Sequence, residues 1–494
     1  MPEYLRSLIV VLVLAAVVFA FARRPACAIA NADDFARRRN TWFALTLAAF
    51  LAQSFWIYVA FAVPLLIFVN RRESNPAALF FFILFVLPIA FVQIPGWGMI
   101  NFLFDLSHAR LLELLILLPA FISLLRRNDT LPFGRIWPDR ALAGFLILTA
   151  VLYLREQELT NTLRQTFYLF IDVFLPYFVI SRSLKNMEAF RDALLSLLLA
   201  IMVVAILGVF ESSKRWLLYS SVTYMLELEN GMTNYLAREG LLRALVTAGQ
   251  PIALGYLMAI GVGIYFLFQP SVQPKLRRRI GLALLAAGLF APLSRGPWLG
   301  AAALLIVFIA SGRYAIRGLM ALALAAVLAL PLISILPGGE KVINLLPFIG
   351  STDVQNIDYR ERLITNSMIV IERNPWFGST DYLETPELES MRQGQGIIDI
   401  VNTYIKVALD AGVVGLGLFV GFFALTLDGI RRALRSIPDK DSEEHRLGRV
   451  LFATLTGILI TIFTVSSITI IPIMYWSVAG LGVAYSQMVQ GKNG

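Results

Sequence analysis

Apolar stretches long enough to cross a bilayer recur along this chain from Tyr4 to Gln487, and no polar block between them is long enough to fold as a sizeable soluble domain. A spanning helix needs roughly 20 mostly apolar residues, and it satisfies its own backbone where no water is present. Composition agrees. Hydrophobic residues make up 58% of the chain and charged residues 15%, with a mean hydropathy of +0.73, whereas soluble domains sit near half apolar and a quarter charged. The expectation is an all-α, polytopic transmembrane helical bundle forming a single membrane domain over 1–494.

Spans are expected near 77–94, 110–125, 141–155, 163–181, 191–212, 248–268, 280–293, 297–312, 316–336, 403–427, 450–467 and 470–488. Tyr4–Ala22 adds one more, and the Arg23-Arg24 pair after it fits a retained anchor better than a cleaved signal. Trp42–Val69 is too long for one untilted helix and short for two. Its basic flanks favour a tight hairpin, and the total comes to about 13–14 spans.

A net charge of +9 would suit nucleic acid, but its distribution argues otherwise. Basic residues gather in alternate loops: Arg126, Arg127, Arg135 and Arg140; Arg182, Lys185 and Arg191; Lys275 to Arg279; Arg313 and Arg317; Arg431 to Arg449. The short loops 95–109 and 156–162 between them carry none. That alternation follows the positive-inside rule, so the basic loops are expected in the cytoplasm and no nucleic-acid partner is expected. Cys27 is the single cysteine, which excludes an intrachain disulfide framework and a cysteine-based metal site. His108 and His445 are too far apart in sequence to suggest a metal, and no cofactor is expected.

Two long segments fall on the opposite side, a first periplasmic loop over 211–248 and a large periplasmic loop over 337–402. Long loops on a helical scaffold are where function concentrates. The second interleaves Arg, Asp and Glu and is expected to carry short helices, which makes it the catalytic candidate.

Ordered motifs surround these loops. Arg243 opens a polar turn that runs through Gly249-Gln250-Pro251 into a span, and Ser294-Arg295-Gly296 sits between two adjacent spans. Tyr359-Arg360 begins an amphipathic stretch that reaches Asn374-Pro375-Trp376-Phe377-Gly378. Asp399-Ile400-Val401-Asn402-Thr403-Tyr404 then leads into Asp410-Ala411-Gly412-Val413-Val414-Gly415-Leu416.

From Arg243 to Leu416, in order and spacing, these motifs resemble the O-antigen ligase/polymerase superfamily of bacterial polysaccharide assembly. The resemblance implies a metal-independent glycosyltransferase of the bacterial inner membrane whose active face is periplasmic. Donor and acceptor would be glycans linked to undecaprenyl diphosphate, with a chain-length regulator and a flippase as further partners. A lipid diphosphate leaving group calls for positive charge, and arginine grips phosphate oxygens bidentately. Arg243, Arg295 and Arg360 are the candidate clamp, Arg362 competes with Arg360, and Asn402 and Tyr404 match the family's substrate-side element. A base must also take the proton of the attacking hydroxyl. The family's histidine position is occupied by Val401, so Asp399 is the best substitute, ahead of Glu384, Glu387 and Glu389.

The missing histidine favours a polymerase of exopolysaccharide, capsule or O-antigen over a ligase that passes a finished glycan to lipid or protein. A transporter of lipid-linked glycans is a third reading, weakened because Glu113, Asp172 and Asp410 are among the few ionisable residues inside expected spans. Plainer roles stand beside each site assignment. Arg243 and Arg295 can anchor helix ends at the interface, Arg360 and Arg362 can form solvated ion pairs, and Asp399 can cap the helix that follows. Asn402 and Tyr404 can orient the loop.

Overall fold

The computed structural model describes residues 1–98, 100–155, 158–228, 236–238, 240–335, 343, 354–392 and 396–493. Nearly all of the large loop before Val354, and residues 229–235 of the first loop, lie outside them. In chain order the helices are α1 (Glu3–Ile29), α2 (Ala32–Leu51), α3 (Phe55–Asn70), α4 (Pro76–Ile83), α5 (His108–Leu125), α6 (Trp137–Tyr153) and α7 (Leu159–Ser183). Then come α8 (Met187–Lys214), α9 (Ser220–Met225), α10 (Pro251–Phe268), α11 (Lys275–Phe290), α12 (Arg295–Ala310) and α13 (Ala315–Ile335). The chain closes with α14 (Val354–Arg373), α15 (Pro386–Glu389), α16 (Thr403–Ser436), α17 (Glu443–Ile462) and α18 (Ile471–Asn493). Among the described residues the strands form two antiparallel hairpins, β1 (Phe91–Pro95) with β2 (Phe102–Ser107), and β3 (Ala237–Arg238) with β4 (Leu241–Leu242).

The architecture is an all-α, multi-pass membrane bundle. Seven of the described helices, α1, α5, α7, α8, α10, α16 and α17, are each long and apolar enough to cross a bilayer, and α3, α12 and most of α13 are shorter apolar helices. The stretch Trp42–Val69 is a helical hairpin, with α2 and α3 turned at Ala52 to Ser54 and the Ser54 hydroxyl accepting from the Trp56 N–H at 3.3 Å. Residues 77–94 form the eight-residue α4, then turns, then β1. A short buried apolar run reads alike as helix or strand, and Pro88 and Pro95 cannot supply helical donors.

Hydropathy alone does not say which helices lie inside. α8 and α10 do: 83% and 89% of their most apolar windows are buried, against 39% for α1. Around them α10 packs on α12 and α17, α8 packs on α1, α4 and α11, and α16 packs on α6 and α18.

The expected basic loops meet one another. Arg38 is buried between Glu73 and Asp192, reaching Asp192 at 2.6 Å, and Arg182 pairs with buried Asp139. Lys185 meets Asp129 at 2.6 Å, Arg191 meets Glu443, and Arg313 meets Asp441 at 3.3 Å. These contacts close one end of the bundle. At the other end lie the hairpins, the turn between α11 and α12, α14, α15 and the turn between α17 and α18.

Candidate active site

The Ser294-Arg295-Gly296 motif is built by three different requirements. Ser294 is buried, and its hydroxyl accepts from Arg243 Nη2 at 2.9 Å. Arg295 opens α12 and is half-buried. Gly296 lets α12 meet the chain after α17: a Cβ there would stand 2.5 Å from Thr464 Oγ1. One turn on, a Cβ at Gly300 would stand 1.9 Å from Thr461 Oγ1. The Arg243-to-Tyr256 motif docks on the same place, because Gly255 faces Pro297 with a would-be Cβ contact of 2.9 Å.

The first loop delivers two arginines to this turn. Glu211, fully buried at the end of α8, accepts the backbone N–H groups of Leu218, Leu245 and Val246 at 2.9–3.1 Å. That carboxylate fixes the chain leaving the β3–β4 hairpin, which a buried acid achieves only when its oxygens are satisfied. From the hairpin, Arg238 Nη1 donates to the Leu293 carbonyl at 2.7 Å, and Arg243 Nε donates to the Pro292 carbonyl at 3.1 Å.

The large loop brings the rest. Its α14 packs on α15 and on the start of α16 through a small apolar core that includes Leu363, Val370, Leu388, Ile400 and Leu409. The turn Asn374 to Gly378 locks onto a break in α16. Gly412 there has φ +66° and ψ −169°, and Val413 N–H donates to the Pro375 carbonyl at 2.7 Å. A Cβ on Gly412 would lie 2.2 Å from the Trp376 carbonyl carbon, and one on Gly378 (φ +64°) would lie 2.2 Å from the Leu409 carbonyl oxygen. Both glycines are therefore required by the close backbone approach as well as by the left-handed torsion. Arg155 Nη1, just beyond α6, donates to the Phe377 and Gly378 carbonyls at 3.2 and 3.1 Å.

So held, α14 presents Arg360 to the turn before α12. Burial lowers the proton affinity of the Arg360 guanidinium, Asp399 raises it, and the positive charges of Arg238 and Arg295 lower it further. These four side chains therefore share one corner, with Arg243 attached through Ser294. Asp399 is itself positioned: Ser466 Oγ donates to its Oδ1 at 2.5 Å, and Tyr359 donates its hydroxyl to the Asp399 carbonyl at 3.1 Å. The corner thus combines a held carboxylate with clustered guanidinia, the pairing that proton abstraction beside an anionic leaving group requires.

The other expected residues make different contacts. Arg362 is exposed, two residues on and so about 200° around the helix from Arg360. Asn402, not Asp399, caps α16: its side chain accepts from Tyr404 N–H at 2.9 Å and Ile405 N–H at 3.2 Å. Tyr404 donates its hydroxyl to the Leu459 carbonyl at 2.9 Å, tying α16 to α17. Val401 packs in the small loop core. Glu387 pairs with Arg373 and Glu389 with Arg392. Arg238 and Ser466 were missed by motif reading. Arg238 had one signal, a Glu-Gly pair between short apolar flanks that reads as a hairpin turn.

Residues 280–420 match the family model described as O-antigen ligase. That span contains Arg295, Arg360, Asp399 and Gly412, whereas Arg238, Arg243 and Ser466 reach the corner from outside it. No curated protein matches the chain.

Proposed function

The chain is a member of the O-antigen ligase/polymerase superfamily through residues 280–420, and on that premise we propose that it is a polysaccharide polymerase of the bacterial inner membrane. It transfers oligosaccharide repeat units linked to undecaprenyl diphosphate onto a growing exopolysaccharide, capsule or O-antigen chain at the periplasmic face. The observation that carries this reading is the corner in which Arg360 lies among Asp399, Arg238 and Arg295.

In the proposed reaction an acceptor hydroxyl attacks the anomeric carbon of the donor. A new glycosidic C–O bond forms as the C–O bond to the diphosphate breaks. The hydroxyl proton passes to Asp399, and the bonding electrons leave on the diphosphate, where Arg295 and Arg360 stabilise the charge and Arg238 and Arg243 hold the turn that carries Arg295. One displacement inverts the anomeric configuration. Guanidinia suit the task because they stay charged and present paired donors to phosphate oxygens. Asn402 and Tyr404 serve by fixing the start of α16 beside Asp399, and Arg362 is assigned to the solvated face of α14. No residue in the scheme has to hold a metal.

Two features support the periplasmic face and the polymerase branch. The corner stands at the end of the bundle opposite the arginine-rich loops that the positive-inside rule places in the cytoplasm. At the family's histidine position Val401 contributes packing in place of a base. The test is reconstitution of the purified protein with undecaprenyl diphosphate-linked repeat units. A ladder of polymer lengths with release of undecaprenyl diphosphate is expected. Transfer of a preformed chain to a lipid or protein acceptor without a ladder would make it a ligase, and movement of the lipid-linked unit across liposomes without bond formation would make it a transporter.

A further inference from the structure

A second polar cluster, far along the chain from the proposed centre, joins α5 to α7. Arg110 donates Nε to Asp172 Oδ1 at 3.1 Å and Nη2 to Asp172 Oδ2 at 2.8 Å. Its Nη1 donates to the Asp105 carbonyl of β2 at 2.7 Å, and its guanidinium lies 3.6 Å over the Tyr168 ring. Glu113, one turn further along α5, is 0% exposed and lies against Asp172 and Arg110. Among the described residues neither of its carboxyl oxygens meets a hydrogen-bond donor.

The backbone is unusual at the same place. Glu113–Leu117 in α5 and Leu169–Phe174 in α7 both widen into π-helix, and the two widened turns touch. π-Helical turns are rare and recur at functional sites. Pro119 and Pro176 follow them closely, and the missing proline N–H frees a carbonyl one turn back. The Leu115 carbonyl is taken up by Asn70 Nδ2 at 3.0 Å. The widened turns set Glu113 and Asp172 facing each other inside the bundle.

Two carboxylates and one guanidinium cannot all stay ionised there. Asp172 already balances Arg110, so an ionised Glu113 would be an uncompensated charge at membrane depth beside a like charge. A proton on Glu113 removes the charge and supplies the donor that Asp172 can accept. We propose that Glu113 and Asp172 form a one-proton site, with Glu113 the carboxylic acid, Asp172 the carboxylate and Arg110 its counter-ion. The ligand is the proton itself. Because Arg110 also holds β2, loss of that proton would set Glu113 in competition with Asp172 for one of the residues that anchor the β1–β2 hairpin.

The test is infrared spectroscopy of the full-length protein in liposomes at neutral pH, in light and heavy water. The wild-type minus Glu113→Gln difference should contain a carboxylic acid C=O band that shifts in heavy water. Asp172→Asn, which keeps Glu113, should lose the same band, because Glu113 then ionises as the counter-ion of Arg110. Absence of the band from the first difference would overturn the site. So would its persistence in Asp172→Asn. A carboxylate band in the wild type that moves on adding sodium chloride would replace the proton with a bound cation.

Discussion

The two ends of the bundle use arginine in opposite ways. At the end where the basic loops meet, Arg38 and Arg182 are buried and answered by carboxylates, Glu73 with Asp192 and Asp139 respectively. At the other end Arg238 and Arg243 donate to the carbonyls of Pro292 and Leu293 and to the Ser294 hydroxyl, and Arg360 lies where Arg238, Arg295 and Asp399 all act on it. The first arrangement neutralises charge and joins helices. The second draws several guanidinia and one carboxylate to a single turn. Arginine content is therefore uninformative by itself; what each guanidinium faces decides whether it joins helices or gathers at a turn.

The contrast breaks most visibly at Asp399. Asp399→Asn removes the proposed base while keeping an acceptor for Ser466, and transfer should fall by about 100- to 10,000-fold, the range for a positioned acid–base group. Melting in detergent should stay close to wild type, and a rate within threefold would remove Asp399 from the chemistry. Arg38→Ala should do the reverse. Leaving Glu73 with only Arg37 at 3.5 Å, and the partly buried Asp192 without Arg38, should cost about 3 kcal/mol of stability, with turnover per folded molecule unchanged.

Between these extremes lie the positions that hold the corner together. Gly412→Ala places a Cβ against the Trp376 backbone at a φ that favours glycine, and should lose about 1–3 kcal/mol. Because the break seats the large loop, limited proteolysis should open the loop before the helices melt; simultaneous loss of both would argue against a separately seated loop. Asn402→Ala should be milder, about 1 kcal/mol for a lost helix cap, with Asn402→Asp restoring the melting temperature. Failure of that rescue would move Asn402 from cap to substrate contact.

How far the sequence reached follows from the same physics. Arg295 and Arg360 were legible through the motifs that resemble the superfamily and the positive charge a diphosphate leaving group needs, whereas the break in α16 at Gly412 was not. The closeness of the two arginines was not legible, since it depends on the docking of Gly378 onto Gly412 and on glycine contacts between α12 and α17. Ser466 gave no signal: a serine in a turn looks like any other until a carboxylate 67 residues earlier is folded against it. Asn402 illustrates a reading with the right residue and a different structural place, because an asparagine before an apolar helix is a cap by local rules alone. The β1–β2 hairpin was hidden because β1 continues the buried apolar run over 77–87, which carries no periodicity to tell strand from helix.

Arg360 and Arg362 offer the most direct measurement, being two residues apart on one helix and chemically identical. The rate of undecaprenyl diphosphate release from lipid-linked repeat units should be measured for Arg360→Ala and Arg362→Ala in the same liposomes, at matched amounts of folded protein. The expected result is a loss of about 100- to 1,000-fold for Arg360→Ala, the size seen when one preorganised charge-stabilising donor is removed, with Arg362→Ala within twofold of wild type. Equal rates for the two variants, or a larger loss at Arg362, would contradict the placement of the reaction centre in the Arg360–Asp399 corner.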